Sequence, residues 1–522
     1  MEAACTTILM LILILLLTWA WMMLNWLWFT PMRLERLLRE QGLQGNPYTL
    51  LVGDTNEFAK MRKEAFSKPM NLFSHDIVPR VFSFSHHTIN THGKNSFIWF
   101  GPVPRVTLTD PELIKDVFNK TYDFHKINMN PQIWLLGPGL LSHHGEKWSK
   151  HRKIINPVFN LEKLKNMLPL FIKSCDDLIS KWEEMFSSDG SSEMDVWPFL
   201  QNLTSDAISR TAFGSSYEEG RRIFQLLKEQ SELTVQLMLE VYIPGWRFVP
   251  TATNRKMNAI DRKIKASLMD IINSREKALK AGEASKNYLL DTLLESNQKE
   301  IQEQGNNKNV GMNIEDVIGE CKLFYFAGQE TTSSLLVWTM ILLSMYPVWQ
   351  TGAREEVLQV FGNGKPDFDG LNHLKIVTMV LNEVLRLYPP IIGLSREVCK
   401  DVKLGNLSLA SGMQVYISII LVHHDCELWG DDAKEFKPER FADGVLKATN
   451  GKVALFPFGW GPRICIGQNF SLLEAKVALS MILQHFSFEL SPTYTHAPTT
   501  VITLQPQYGA QLILRKLENM NK

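Results

Sequence analysis

The stretch that decides the fold is Phe458-Gly459-Trp460-Gly461-Pro462-Arg463-Ile464-Cys465-Ile466-Gly467, near the end of a chain of 522 residues. Glycines stand on both sides of one cysteine, and a helical pattern follows from Asn469 to Phe486. A thiolate at a helix N-terminus is stabilised by the helix dipole and by free backbone N–H groups. Gly461 and Gly467 let the backbone approach a flat macrocycle, and Arg463 is suited to an anionic group on it. The stretch therefore predicts a cysteine thiolate held at the start of a helix, with backbone that can approach a flat ligand closely.

Those positions match the FxxGxRxCxG signature of the cytochrome P450 superfamily at every fixed residue. The resemblance implies that Cys465 is the axial ligand of haem b, and that Phe458, Arg463 and Gly467 belong to the cofactor-binding loop. A cysteine thiolate donates electron density to haem iron and favours O–O cleavage. The alternative is a glycine-rich turn around a buried structural cysteine, which does not account for the whole combination.

A second segment, Ala327-Gly328-Gln329-Glu330-Thr331-Thr332, places polar residues inside a long apolar helical pattern. Gly328 weakens a helix, and Thr331 can donate to a carbonyl one turn back, which bends the helix. The segment resembles the acid–threonine pair of the superfamily. That resemblance implies that Glu330 and Thr331 are catalytic and relay protons to dioxygen. A satisfied internal polar patch is the alternative.

Two further segments carry residues that the resemblance assigns to the haem propionates. Trp148 and Arg152 stand four residues apart, which aligns two hydrogen-bond donors on one helix face. Arg396 lies in Ser395-Arg396-Glu397. The resemblance implies that all three bind propionates. Basic residues gather around Arg152, which predicts a docking face for an acidic electron donor, with an ordinary solvated helix face as the alternative: Lys147, Lys150, Arg152 and Lys153.

A possible structural triad comes from two distant segments. Glu383 and Arg386 share one face of an apolar helical pattern, and Arg440 follows in Phe436–Phe441. Such a pair is usually a weak surface ion pair, but the surroundings LNEVLRLYPP favour burial. The resemblance implies that Glu383, Arg386 and Arg440 brace the haem-binding loop.

Composition limits other classes of function. Lys+Arg and Asp+Glu both number 55, so nothing indicates a nucleic-acid binder. The six cysteines are scattered without a CxxC pair, which favours a reducing compartment over a disulfide scaffold. The adjacent histidine pairs at 86–87, 143–144 and 423–424 are not expected to share a metal, because neighbouring side chains point apart.

No GxGxxG follows a strand and no P-loop is present, so the sequence shows no nicotinamide or phosphate site of its own. The electrons must come from a partner, which the resemblance implies is NADPH-cytochrome P450 reductase, with cytochrome b5 as a second candidate.

The N-terminal segment Thr6–Phe29 carries no charge and is long enough to span a bilayer, which takes about 20 residues. Tryptophans end it and three arginines follow by residue 39, which predicts a single-pass anchor with the catalytic domain in the cytosol. A cleaved secretory signal is the alternative, but the basic start and the small-residue cleavage site are missing. We expect an anchor over 1–30, a linker over 31–50 and a haem-thiolate catalytic domain over 51–522, at the endoplasmic reticulum membrane.

Helical patterning dominates the rest. The fold class expected is mainly α with a minor β region, the cytochrome P450 fold, preceded by one transmembrane helix. The polar segment Gln298–Gly311 predicts a mobile surface loop. The candidate helices are Glu146–Phe159, Leu161–Phe186, Ile223–Glu240, Asn258–Ala281, Ile314–Met345 and Leu374–Leu387. The candidate strands are Ser96–Phe100, Arg105–Thr109, Gln414–Ile420 and Ala510–Arg515.

In detail the chain resembles the plant family that contains secologanin synthase, through EQGLQGNPYTLLVGD, Ile243–Phe248 and PFGWGPRICIGQNF. It departs from the common pattern in lacking a Pro-Pro-Gly-Pro string in the linker. Members and relatives oxidise iridoid glucosides, triterpenoids, gibberellins and brassinosteroids. The segments expected to line the pocket are largely apolar, which suits a large hydrophobic substrate: Phe124–Leu140, Leu237–Pro250, Phe324–Gln329, Ile391–Leu394 and Val501–Tyr508.

The favoured activity is therefore reductase-dependent hydroxylation of an oleanane-type triterpenoid in saponin biosynthesis. Inactivation of a brassinosteroid or gibberellin, or oxidation of a secologanin-type iridoid, are alternatives within the class. A haem-thiolate isomerase or dehydratase, and a non-catalytic haem or sterol carrier, are alternatives from other classes. Haem-thiolate isomerases and dehydratases commonly depart from the acid–threonine pair, which is intact here, and a carrier would not need Thr331 or a route for electrons.

Overall fold

Helices dominate the computed structural model, which describes residues 2–127, 130–188, 190–214, 217–241, 243, 245–281, 288–303, 305 and 311–517. The prediction of a mainly α fold with a minor β region is confirmed. The helices are α1 (Glu2–Leu24), α2 (Thr30–Glu40), α3 (Thr55–Phe66), α4 (Val78–Val81), α5 (Ser83–His92), α6 (Pro111–Asn119), α7 (Gly145–Ile155), α8 (Leu161–Glu183), α9 (Val196–Phe213), α10 (Tyr217–Met238), α11 (Ala252–Lys280), α12 (Leu289–Glu303), α13 (Ile314–Met345), α14 (Pro347–Phe361), α15 (Phe368–His373), α16 (Lys375–Leu387), α17 (Ile419–His423), α18 (Cys426–Trp429), α19 (Val445–Ala448) and α20 (Gln468–His485).

The strands form small sheets beside this helical body. A five-stranded sheet has the order β1-β2-β8-β5-β3, in which only β2 and β8 pair in parallel. The strands are β1 (Phe97–Phe100), β2 (Val103–Leu108), β3 (Phe124–Lys126), β4 (Ser191–Asp195), β5 (Leu394–Val398), β6 (Val402–Leu404), β7 (Leu407–Leu409), β8 (Gln414–Ile417), β9 (Phe486–Leu490), β10 (Pro498–Thr500), β11 (Leu504–Pro506) and β12 (Gln511–Lys516).

Two hydrophobic clusters hold the molecule together. The larger surrounds α13, which is buried along most of its length and packs on α9, α16 and α20. Its start is fixed by a capping box, in which Asn313 accepts from the amide of Asp316 at 2.8 Å and the Asp316 carboxylate accepts in return. The smaller cluster packs against the five-stranded sheet. The site described below lies among elements of both clusters.

The N-terminal helix has a buried and an exposed part. α1 and α2 are joined by a π-helical turn (Asn25–Phe29), and together they form a helix long and apolar enough to cross a membrane. Its apolar part is exposed, as a bilayer-facing helix requires. At its other end Leu34 and Leu38 are buried in the smaller cluster. Residues 31–40 are thus helical and packed on the fold. The bent pair α13–α14 meets the same length and composition criterion, but α13 is a core helix.

Several sequence predictions differ from the structure in their bounds. The loop prediction for Gln298–Gly311 is wrong for residues 298–303, which belong to α12; residues 304 and 306–310 lie outside the described part of the chain. Asn297 holds this region by donating to the carbonyl of Met312 at 3.0 Å and accepting from its amide at 2.6 Å. The strand predicted to reach Ile420 ends at Ile417, because Ser418 caps α17.

Candidate functional site

The cysteine loop is held by its own backbone. The amide of Cys465 donates to the carbonyl of Phe458 at 2.9 Å, and Gly461–Arg463 form a 3-10 turn. Gly461 has φ +68°, and a Cβ there would lie 3.0 Å from Asn119 Oδ1, so a side chain is excluded on both grounds. α20 begins at Gln468, directly after Gly467. The turn thus presents Cys465 just before a helix N-terminus, as the spacing predicts.

The Cys465 thiol lies in a mixed electrostatic environment. Desolvation by the surrounding protein raises its pKa, while the N–H of Gly467 and the positive charges of Arg152 and Lys126 lower it. A coordinated metal ion deprotonates such a thiol outright.

Four basic side chains gather beside this loop without an acidic partner. Lys126 in β3 stands opposite Arg396 in β5 in the sheet register. Burial lowers the pKa values of Arg396 and Arg463 to about 10, and burial with these two neighbours lowers that of Lys126 well below its usual value. Within the described residues none of them, nor Arg152, forms an ion pair. Arg396 is buried and the other three cations are half-buried, so an anionic group beside them would be strongly favoured.

Each arginine is oriented by a neutral group instead. Arg152 donates to the carbonyl of Ile464 at 2.9 Å, and Arg463 donates to that of His143 at 3.0 Å. Arg463 also lies over the ring of Trp148, with 4.5 Å from its Cζ to the ring centroid. Nε of Arg463 is buried and has no hydrogen-bond partner among the described residues. Trp148 and Arg152, predicted from one motif, are therefore brought beside Arg463, predicted from another.

The polar segment of α13 is fixed from two sides. Thr331 Oγ1 donates to the carbonyl of Ala327 at 2.8 Å, as the sequence predicts, while α13 continues through this point. Glu330 Oε2 accepts from Thr503 Oγ1 at 3.1 Å. Burial raises the pKa of Glu330, and the Thr503 hydroxyl opposes this shift. Close packing favours glycine at position 328, because a Cβ there would lie 2.9 Å from the side chain of Ile208.

Residues 70–514 match the family model described as Cytochrome P450. The chain belongs to the cytochrome P450 family. It is 60% identical to Cytochrome P450 72A68 of Medicago truncatula, over 98% of each chain. It is 57% identical to 11-oxo-beta-amyrin 30-oxidase of Glycyrrhiza uralensis over 98% of each chain, and 55% identical to secologanin synthase 1 of Catharanthus roseus over 96% of each. The chain is thus a plant P450 monooxygenase.

A P450 uses a haem with a cysteine thiolate ligand, and a redox partner supplies its electrons. The bound haem supplies the activation of dioxygen. The residues beside Cys465 fit this group on two observations. Four basic side chains lack an acidic partner within the described residues, as two haem propionates demand. The glycines of the loop allow close backbone approach to a flat ring.

Glu383 and Arg386 form a fully buried pair in this P450. Two parallel hydrogen bonds of 2.7 Å join them, and Arg386 Nη1 also donates to the carbonyls of His423 and Ala433. Arg440 is more loosely attached, with 3.8 Å from its Nε to Glu383 Oε1. It donates instead to Asp432 and to the carbonyl of Trp429. The predicted triad is therefore a tight pair with a neighbouring third member.

Two site residues escaped the sequence analysis. Lys126 lies beside Arg396 because β3 pairs with β5, and no local sequence motif indicates this pairing. His423 accepts from the amide of Phe456 at 3.1 Å through Nε2, and its Nδ1 lies 3.2 Å from the carbonyl of Arg386. It thus links the buried pair to the residue two positions before Phe458. The sequence offered only an adjacent histidine pair as a signal.

The remaining histidines form separate contacts. His144 stacks on His125 at 4.7 Å between ring centroids, whereas His143 packs edge-on against His151 at 4.5 Å. His151 Nδ1 lies 2.5 Å from Glu320 Oε1, which ties α7 to α13. His143, His151 and Glu320 thus bring potential ligand atoms within 4.8 Å of one another. The neighbours His143 and His144 point to different partners, as expected.

The basic face of α7 differs from a free docking patch. Lys147 pairs with Asp316 at 2.7 Å and Lys153 pairs with Glu300 at 2.7 Å. Lys150 donates to the carbonyl of Gly311 at 3.0 Å. Arg152 faces Ile464. The sequence could not show these partners, because they come from α12, α13 and the segment between them.

Proposed function

We propose that this P450 hydroxylates an oleanane-type triterpenoid with electrons from NADPH, delivered by NADPH-cytochrome P450 reductase. The observation that carries the proposal is the 57% identity, over nearly the whole chain, to a relative named as an oxidase of 11-oxo-beta-amyrin at position 30. A second relative with the same name, from Medicago truncatula, is 58% identical. Buried apolar side chains in the segments expected to line the pocket, such as Leu136 and Phe326, suit such a substrate.

The proposed roles of the residues follow from their positions. Cys465 is the iron ligand, and Phe458 and Gly467 shape its loop. Trp148, Arg152, Arg396 and Arg463 bind the propionates, with Lys126 as an additional cation. The pair Glu383–Arg386, with Arg440 nearby, holds the loop in place through His423.

Glu330 and Thr331 relay protons to the reacting oxygen in this proposal. A half-buried carboxyl whose pKa is raised by desolvation takes up a proton more readily than a free carboxyl, which suits a proton carrier. The Thr331 hydroxyl donates to Ala327, which leaves its oxygen lone pairs to accept from a substrate or solvent proton donor. An isomerase, a dehydratase or a carrier has no need of this pair.

The proposed setting is the endoplasmic reticulum membrane, with one N-terminal span over 1–30, a short connection over 31–50 and the catalytic domain of 51–522 in the cytosol. The exposed apolar helix supports an anchor. The proposed docking face for the reductase, and for cytochrome b5 as a second donor, is the half-exposed lysine row of α7. To bind the partner, Lys147 and Lys153 must leave the carboxylates of Asp316 and Glu300 and pair with carboxylates of the partner.

A second candidate is the oxidation of an iridoid. It is favoured by 55% and 54% identity to secologanin synthases 1 and 2 of Catharanthus roseus. The two candidates differ in substrate size and polarity, so one experiment separates them.

The test is product formation in microsomes that contain this chain and a plant reductase. Oleanane triterpenoids, an iridoid glucoside, a brassinosteroid and a gibberellin are offered with and without NADPH, and products are identified by mass. A triterpenoid that gains one oxygen only with NADPH supports the proposal, and Cys465→Ala microsomes serve as the control. Oxidation of the iridoid or a hormone alone would overturn the triterpenoid assignment. Conversion without NADPH would overturn the proposed reaction.

A further inference from the structure

A cavity lies between α3, the α4–α5 segment and the edge of the five-stranded sheet. Its empty space amounts to ≈ 710 Å³, a figure that includes space open to solvent. Most of its lining is apolar, with aromatic side chains such as Phe58, Phe82 and Phe100. Two guanidinium groups, those of Arg62 and Arg105, stand in this apolar wall. A charged group in an apolar wall is unfavourable unless a hydrogen-bonding or oppositely charged group compensates it.

Arg105 is the more enclosed of the two. Its Nε and Nη2 both donate to Oε1 of Gln414, at 2.9 and 2.8 Å, and its Cζ lies 4.5 Å from the ring centroid of Phe100. Burial lowers its pKa to about 10. Within the described residues no carboxylate lies within ion-pair distance of it. A neutral amide orients the guanidinium but does not balance its charge.

Arg62 repeats this arrangement from the opposite wall, on α3. Its Nη2 donates to the carbonyl of Thr500 at 2.7 Å, and its Cζ lies 4.8 Å from the ring centroid of Phe66. Burial lowers its pKa as well. It too has no acidic partner in the described part of the chain. Both arginines are thus positioned by neutral groups and keep donors for an anion.

Asp54 also lines the cavity but is already engaged. Its Oδ2 accepts from the amide of Trp99 at 2.7 Å and its Oδ1 accepts from Asn46 at 3.0 Å. Burial raises its pKa, which weakens any negative charge that it carries. The cavity therefore has a surplus of positive charge.

The cavity is connected to the catalytic site by two chain segments. Ile392 lines the cavity, and Leu394, two residues on, faces Gly459 of the cysteine loop, where a Cβ would lie 3.9 Å away. Thr500 lines the cavity at the end of β10, and Thr503 in the same hairpin binds Glu330. These two segments therefore contribute residues both to the cavity and to the surroundings of the catalytic site.

We propose that Arg62 and Arg105 form a carboxylate-binding subsite, which holds the acidic end of a hydrophobic substrate while another part of the skeleton is oxidised. This inference rests on the proposed function and narrows the substrate to a triterpenoid that already carries a carboxyl group. A guanidinium binds a carboxylate through paired, charge-assisted hydrogen bonds. An earlier oxidation of a methyl group to a carboxylic acid must then supply this substrate.

The test compares three probes on the haem-loaded enzyme in microsomes: a 3β-hydroxyoleanane carboxylic acid, its methyl ester and the corresponding primary alcohol. Dissociation constants are read from the haem spectral shift on binding, and turnover is measured separately with reductase and NADPH. We expect the acid to bind about tenfold more tightly than the ester or alcohol. Arg62→Gln and Arg105→Gln should each remove most of that preference and leave ester binding within about twofold, because only the acid carries the charge that these arginines bind. Ester binding also shows that each variant is folded.

Two controls sharpen the result. Arg62→Lys and Arg105→Lys keep the charge and should retain part of the preference, and Arg515→Gln, at an exposed ion pair on β12, should leave it unchanged. Equal affinity of the wild-type enzyme for acid and ester, or an equal loss for all three probes, would overturn the subsite. Oxidation of all three probes with equal affinities would overturn the subsite alone. Failure to oxidise any oleanane, with an arginine-dependent preference for the acid, would overturn the substrate assignment alone.

Discussion

The Thr503 hydroxyl donates to Oε2 of Glu330 across 3.1 Å, which joins the β10–β11 hairpin to α13 one residue before Thr331. Glu330 has a raised pKa because it is buried, and this hydrogen bond acts in the opposite direction. The hairpin therefore helps to set the protonation of a residue that we assign to proton transfer.

Replacement of Thr503 by valine should raise the pKa of Glu330 further, because the bond stabilises the carboxylate form. We expect the part of the kcat–pH profile that reports Glu330 to move to higher pH by about one unit. The measurement is kcat and the ratio of product to NADPH consumed, from pH 5.5 to 8.5. Thr493→Val is the matched control, since Thr493 donates to the exposed Glu193 and not to Glu330. An unchanged profile in Thr503→Val would contradict the proton-transfer role of Glu330.

Replacement of Cys465 by alanine should abolish thiolate ligation. The ferrous carbon monoxide complex should lose the red-shifted Soret band of a thiolate-bound haem, and turnover should fall to background. Cys426→Ala is the control, because Cys426 is an exposed cysteine on α18. A normal spectrum in Cys465→Ala, or loss of the band in Cys426→Ala, would show that the ligand is assigned to the wrong residue.

The motifs predict which residues form the site more reliably than they predict the contacts between residues of distant segments. The cysteine loop, the polar turn of α13 and the Glu383–Arg386 pair each carry their geometry in a short stretch, where helix periodicity fixes which side chains are neighbours. The bounds of α13 are predicted as well, because its capping box is local. Lys126 joins Arg396 only through sheet pairing, and the lysines of α7 meet their acids only through tertiary packing. Contacts between distant segments leave no periodic signal in one sequence.

Loss of one partner of the Glu383–Arg386 pair should destabilise the fold strongly. Both side chains are fully buried, so Glu383→Gln leaves a guanidinium charge without its carboxylate. We expect a loss of about 3–5 kcal/mol in the free energy of unfolding, together with release of haem. Chemical unfolding followed by haem absorbance and by far-UV circular dichroism measures both. Glu489→Gln, which breaks the exposed pair with Arg515, should cost less than about 1 kcal/mol. Similar losses in the two variants would show that burial of the first pair is unimportant.

Stability should fall as the pH decreases below about 6.5, and His423 should account for part of the fall. Burial, with the neighbouring His424 and Arg386, lowers the pKa of His423 to about 3, so the folded protein keeps this imidazole neutral while the unfolded chain protonates it near 6.5. The geometry gives the same sign, because protonation would place an N–H on Nε2 against the donating amide of Phe456. The stability contribution of His423 is complete above pH 6.5 and decreases between pH 6.5 and 3, by about 2 kcal/mol at pH 5.

The variant His423→Gln can keep both hydrogen bonds with a neutral amide. Its free energy of unfolding should therefore change less between pH 7 and pH 5 than that of the wild type, by about this amount. His373→Gln, at an exposed position in α15, should retain the wild-type pH dependence. Equal pH dependence in His423→Gln and the wild type would mean that His423 does not link acid sensitivity to the haem loop.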